Sequence, residues 1–151
     1  YGNPMNYMGM PLLHYYNYHQ QKNTTQPNAA TMTKRILIID DDKDMLEMLQ
    51  IVFLASDLEV LISDHGMTGV EIRGLHPDLI MLDVQIKGYI KTGDEICKEI
   101  KAHPDLSDIP VFLISSEIDL QTIAFECAAD GFINKPIDIL KLKTFIRDKL
   151  L

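Results

Sequence analysis

Asp40-Asp41-Asp42, Asp83, Ser115-Ser116 and Asn134-Lys135-Pro136 each stand at the end of a short apolar run in a chain of 151 residues. If those runs are strands whose ends meet at one edge, the edge holds several carboxylates, a hydroxyl and an ammonium. Clustered carboxylates repel one another and raise each other's pKa unless a cation holds them. A few hard oxygen ligands suit Mg²⁺, which keeps several of its own waters. A lysine beside them adds a second positive charge, and one carboxylate can then serve as a nucleophile. The set therefore suits a phosphoryl group, with metal on one side and Lys and hydroxyl on another. Taken singly, each residue has a plainer role: an Asp after a strand caps a helix or turn, a Lys is solvated, a Ser satisfies a backbone group. The joint placement at four run ends selects the chemistry.

The elements that must position these residues alternate along the chain. Ile36-Leu37-Ile38-Ile39 is a β-branched run suited to a strand buried on both faces. Asp44 is expected to cap a helix whose apolar face is Met45, Met48, Leu49, Val52 and Phe53. Strands follow at Leu58 to Ile62, Leu79 to Leu82, Val111 to Ile114 and Phe132-Ile133. Helices are expected at about Thr68 to Leu75, Asp94 to Ala102, 118–129 and Ile139 to Leu150, the last with Leu142, Phe145, Ile146 and Leu150 inward. Residues 84–93 read as a loop containing Gly88 and Gly93. Five strand–helix repeats imply an α/β fold, a parallel sheet with helices on both faces. Ligands of such sheets bind outside the carboxyl ends of the strands.

Composition narrows the setting. The chain has 22 acidic and 14 basic residues, a formal charge of −8. Residues 1–33 contain no acid and one base, Lys22, and residues 34–151 carry −9. That acidity argues against direct nucleic-acid binding, which needs basic patches facing phosphates. Apolar runs are too short to span a membrane, and residues 1–31 lack the basic start and apolar block of a secretory signal. Cys97 and Cys127 form no CxxC pair and are expected as buried reduced thiols in a cytoplasmic protein. Residues 1–33 hold five of the six tyrosines, with Pro4, Pro11 and Pro27 and few aliphatic residues. They read as a disordered or extended tail or linker, with Met32 serving as a natural start for a folded domain over 34–151.

The run-end motifs resemble the receiver domain of two-component response regulators. Ile36-Leu37-Ile38-Ile39-Asp40-Asp41-Asp42 is similar to the family's opening strand and acidic pair, and Pro77-Asp78-Leu79-Ile80-Met81-Leu82-Asp83 to its phosphoacceptor strand. Ile109-Pro110-Val111-Phe112-Leu113-Ile114-Ser115-Ser116 and Asp130-Gly131-Phe132-Ile133-Asn134-Lys135-Pro136 are similar to its last two strands. The resemblance covers residues 34–151. It implies a flavodoxin-like, doubly wound, five-stranded parallel sheet of order 2-1-3-4-5 with five helices. It implies a signalling switch rather than an enzyme, with Asp83 taking a phosphoryl group from a sensor histidine kinase or phosphotransfer protein. Asp41 would bind Mg²⁺ (or Mn²⁺) directly, Asp40 would help to position it, and Asp83 and the Gln85 backbone carbonyl would complete the metal site. Ser115 and Lys135 would bind phosphoryl oxygens, and the Lys135–Pro136 bond would be cis.

The switch implied by the same resemblance moves Ser115 toward the phosphoryl group and rotates Phe132 into the space it leaves, against the plainer alternative that Phe132 is a core residue. That repacks the face of the fourth helix, fifth strand and fifth helix, where a downstream protein or a phosphorylation-dependent dimer partner would bind. The chain departs from the family after Asp83. Lys87 stands where a Pro is usual, and Gly93 comes about two residues late, so 84–93 contains a small insertion. Lys87 and Lys91 read as solvated loop residues. Gln85 and Glu117 occupy positions that in the family tune how long the phosphoryl group lasts. A single-domain regulator and a receiver cut from a larger protein are both consistent with the sequence. Two alternatives remain: a degenerate receiver that binds without being phosphorylated, against which the intact Asp40, Asp41, Asp83, Ser115 and Lys135 argue, and an aspartyl-phosphate phosphatase. The phosphatase would need an Asp where Gln85 stands. No nucleotide-binding GxxxxGK[ST] or GxGxxG occurs.

Overall fold

The computed structural model of the protein describes residues 33–150. The tail expected at 1–33 lies, Thr33 apart, outside the described residues. Five strands alternate with five helices: β1 Lys34–Ile39, α1 Lys43–Phe53, β2 Leu58–Ser63, α2 Gly69–Leu75, β3 Leu79–Asp83, α3 Gly93–Ala102, β4 Val111–Ser115, α4 Leu120–Glu126, β5 Gly131–Asn134 and α5 Ile139–Leu150. All strand pairs are parallel, in the order β2-β1-β3-β4-β5, the order expected. β3 and β4 are buried at every position, as central strands covered on both faces must be.

Strand alternation splits the core in two. Leu37, Ile39, Ile80, Leu82, Val111 and Leu113 face α2, α3 and α4, while Ile36, Ile38, Leu79, Met81, Phe112 and Ile114 face α1 and α5. Cys97 and Cys127 lie in the first layer as buried free thiols. Among the described residues, no helix is long and apolar enough to cross a membrane.

Local differences from the sequence expectations have physical causes. The cap of α1 is Asp42 rather than Asp44: Asp42 has extended backbone and its carboxylate accepts the Met45 N–H at 3.1 Å. The inward face of α1 is Leu46, Leu49 and Phe53, with Met45 and Val52 at its margin, and Met48 turns outward. Helix α4 is shorter than 118–129, because Ile118 is 98% exposed and Ala128 takes a left-handed φ of 58° just beyond the Cys127 cap. Gly93 opens α3 instead of closing the loop. Thr92 caps it, with the Glu95 carboxylate accepting the Thr92 N–H at 2.8 Å.

Candidate functional site

Register brings the strand ends together. Ile39 pairs with Leu82 and Asp83 with Ile114, so Asp40, the residue after β1, stands level with Asp83 at the carboxyl edge. Ser115 pairs with Asn134, which places Lys135 one step beyond β5. The Lys135 N–H donates to the Ser115 carbonyl at 2.9 Å, and the Lys135–Pro136 bond is cis, as expected.

The three expected acids meet. Asp40, Asp41 and Asp83 each offer a carboxylate oxygen within 4.8 Å of the others. Asp40 and Asp83 are buried and Asp41 is partly exposed. Lys135 serves two of them: its Nζ lies 2.8 Å from Asp40 Oδ2 and 3.5 Å from Asp83 Oδ2. Asp40 Oδ1 accepts the Asp42 N–H at 2.8 Å, which ties the acid to the start of α1. Asp40 Oδ2 is close enough to Lys135 to form an ion pair but is buried with no hydrogen bond of proper geometry. Its partner there is the Lys135 charge, which it shares with Asp83.

Electrostatics follow from this crowding. Burial, with Asp40 and Asp41 adding repulsion, pushes the Asp83 carboxyl up to about 6, against the pull of Lys135 and the Gln85 N–H. Burial pulls Lys135 down, but Asp40 and Asp83 outweigh it and its pKa is raised. Lys135 is therefore a cation and Asp83 a carboxylate that gains from any added positive charge.

The surrounding residues close the site. The Ser115 hydroxyl is buried and accepts the Glu117 N–H at 3.1 Å. The Gln85 amide donates to the Glu117 carboxylate at 3.4 Å, linking the loops after β3 and β4. Lys87 Nζ approaches Asp41 Oδ2 to 3.9 Å although its side chain is 91% exposed. Lys91 turns away and pairs with Glu99. Phe132 lies on β5 at 39% exposure, so it is not a core residue. Gly93 has a role that sequence spacing did not reveal: a Cβ there would collide with the Asp83 carbonyl, so α3 can start against the end of β3 only with glycine. A glycine directly after a capping Thr, with Glu95 three residues beyond that Thr, was the available signal.

The comparisons with known proteins agree with this geometry. The family model described as "Response regulator receiver domain" matches residues 36–147. The DNA-binding response regulator MtrA of Mycolicibacterium smegmatis is 30% identical over 123 residues, covering 80% of this chain and 52% of the relative. The regulatory protein AtoC of Escherichia coli is 25% identical over 121 residues, covering 80% of this chain and 26% of the relative. The chain thus spans about half the length, or less, of these curated relatives. The signal receiver domain of a signal transduction histidine kinase from Syntrophus aciditrophicus superposes with a TM-score of 0.68 at 30% identity, over 78% of this chain and 89% of that one. The Vibrio cholerae chemotaxis protein CheY4, at 19% identity and TM-score 0.65 over 78% of this chain and 99% of its own, shares the fold.

Proposed function

The chain belongs to the response regulator receiver domain family, and from that premise we propose that it is a phospho-accepting switch of a two-component system with Asp83 as acceptor. The supporting observation is the charge arrangement at the sheet edge. Three carboxylates lie within 4.8 Å, Asp40 and Asp83 share the one ammonium of Lys135, and Asp41 meets only the exposed Lys87 at 3.9 Å.

That donor set fits Mg²⁺ or Mn²⁺: it is all oxygen, mostly buried, and under-neutralised. Asp40, Asp41, Asp83 and the Gln85 carbonyl would hold the ion. When bound, it would offset the carboxylate charge and the charge on the transferring oxygens. The remaining work belongs to the chain's own side chains. An Asp83 oxygen attacks the phosphorus of a phosphohistidine on a sensor kinase or phosphotransfer protein. The new O–P bond forms as the P–N bond breaks, and the imidazole leaves with the electron pair. Lys135 turns part of its charge from Asp83 to a phosphoryl oxygen, and the Ser115 hydroxyl donates to another. In-line transfer of this kind needs positioning and neutralisation rather than a base.

The bridge between Gln85 and Glu117 limits the approach of water to the acyl phosphate and so lengthens its life. Movement of Ser115 toward the phosphoryl group frees space for Phe132 and shifts the α4-β5-α5 face between two packings. A downstream protein or a second copy reads that face. Residues 34–151 are the receiver unit in this proposal, and 1–33 an appended tail.

The test is intact-mass measurement after incubation with acetyl phosphate and Mg²⁺. The wild type gains about 80 Da, one phosphoryl group, and Asp83→Asn gains nothing. No adduct from acetyl phosphate or from a phosphorylated kinase would refute the proposal.

A further inference from the structure

The segment from Val84 to Thr92 departs from the family pattern and borders the metal end of the site. Its own backbone closes two hydrogen bonds: Gly93 N–H to the Val84 carbonyl at 2.9 Å, and Tyr89 N–H to the Ile86 carbonyl at a long 3.4 Å. So little backbone bonding leaves the middle of the loop to be fixed by side chains. Ile86 is one anchor, buried in the layer beneath α2 and α3. Tyr89 is the other. It packs against the same layer, and its ring is seated on Gly66 in the turn after β2.

The fit between Tyr89 and Gly66 is steric. A Cβ at position 66 would overlap the Cγ, Cδ1 and Cε1 atoms of the ring. Cγ is fixed near the backbone of Tyr89, so the ring could not swing aside cheaply and would have to leave. The contact uses ring carbons rather than the hydroxyl.

On the site side of this anchor, Gly88 takes a φ of 75° and turns the chain, with Lys87 Nζ 3.9 Å from Asp41 Oδ2. Further back, the Gln85 N–H lies against the Asp83 carboxyl. The loop is therefore clamped between the acceptor strand and the turn after β2, with Gln85 and Lys87 in the clamped span.

We propose that Tyr89 is a positioning residue for the metal end of the site. Seated on Gly66, it holds the loop so that the Gln85 backbone keeps its place beside Asp83. The inference rests on the Mg²⁺ reading above and adds a residue that touches neither metal nor phosphoryl group.

The test is calorimetric titration of Mg²⁺ into the full 151-residue chain, with thermal melting of each variant as a folding control. Tyr89→Ala weakens Mg²⁺ binding about tenfold, the scale at which lost outer-shell support lowers metal affinity. Tyr89→Phe binds as the wild type does. Gly66→Ala evicts the ring without altering it and weakens binding similarly. Adding Gly66→Ala to Tyr89→Ala changes nothing further, because the two share one contact. Should Tyr89→Ala fail to melt cooperatively, Tyr89→Leu, which lacks the flat ring, decides in its place. Wild-type affinity in a folded Tyr89→Ala or Tyr89→Leu would overturn the inference, as would full additivity of Tyr89→Ala and Gly66→Ala. A wild type that binds no Mg²⁺ would remove the metal reading itself, an outcome visible before any variant is compared.

Discussion

The two edges of the one sheet use the same residue types to opposite ends. At the amino edge every carboxylate named here is matched to donors. Asp78 accepts from Lys34 at 3.0 Å and from the Arg35 N–H at 2.8 Å. Asp130 takes Lys101 at 2.6 Å and the Val111 N–H at 2.7 Å, and Lys101 also donates to the Ser107 and Ile109 carbonyls. Glu59 pairs with Arg35 at 2.7 Å. At the carboxyl edge Asp40 and Asp83 share Lys135, Asp41 meets only the exposed Lys87 at 3.9 Å, and Asp83 is pushed up to about 6. The acids of the amino edge have their donors built in, whereas those of the carboxyl edge are left short of positive charge, as the proposed metal site requires. Stoichiometry, more than residue type, separates the two.

Replacing one lysine at each edge tests this contrast most strongly. Lys135→Ala slows acetyl phosphate-dependent phosphorylation by about 10²-fold, the usual loss when a preorganised charge is removed. Lys101→Ala leaves that rate unchanged. Stopped reactions followed by mass measurement would read both, and equal rates would break the distinction.

The amino-edge lysine is expected to act on stability instead. Lys101→Ala costs about 2 kcal/mol in urea unfolding, because a 14% exposed ammonium with three acceptors is lost. An unchanged midpoint would show that Lys101 does not hold the amino edge.

Asp83→Asn has the opposite sign. The folded protein holds the Asp83 proton to about 6 against an ordinary 3.8. Native stability from this group is present below about 4, falls as pH rises through that window and levels off above it. In metal-free buffer at neutral pH, Asp83→Asn therefore stabilises the fold, on the order of 1 kcal/mol, since Lys135 relaxes toward Asp40. The gain shrinks as pH is lowered below about 6. Asp78→Asn at the other edge destabilises under the same conditions. Chemical denaturation at a series of pH values checks both signs, and a destabilised Asp83→Asn would contradict the charge deficit.

The smallest effect belongs to an exposed pair outside either edge. Arg73 and Asp105 meet at 2.9 Å with side chains 51% and 60% exposed. Arg73→Ala changes stability by at most about 0.5 kcal/mol. A larger loss in the same urea series would mean that exposure is a poor guide to the value of a pair here.

Much of the architecture was legible along the chain because burial on both faces of a parallel strand demands a continuous apolar run. Ile36 to Ile39, Leu79 to Leu82 and Val111 to Ile114 carry that signature, and Asp40, Asp83 and Ser115 follow directly at their ends. The α1 face was less legible. Leu46 and Met48 are both apolar, and only the rotation set by the Asp42 cap decides that Leu46 turns inward. Gly93 read as a loop residue because a close backbone approach leaves no periodic trace.

By itself the sequence determined the alternation of strands and helices and which residue types end each strand. Period and run length encode these within a few residues. The tertiary structure alone decided how charge is shared: that Lys135 reaches Asp40 and Asp83, that Asp40 Oδ2 is left without a hydrogen bond, and that Tyr89 comes down on Gly66. Those partners are brought together by strand register and loop path, and an ångström of difference in either changes which atoms can pair.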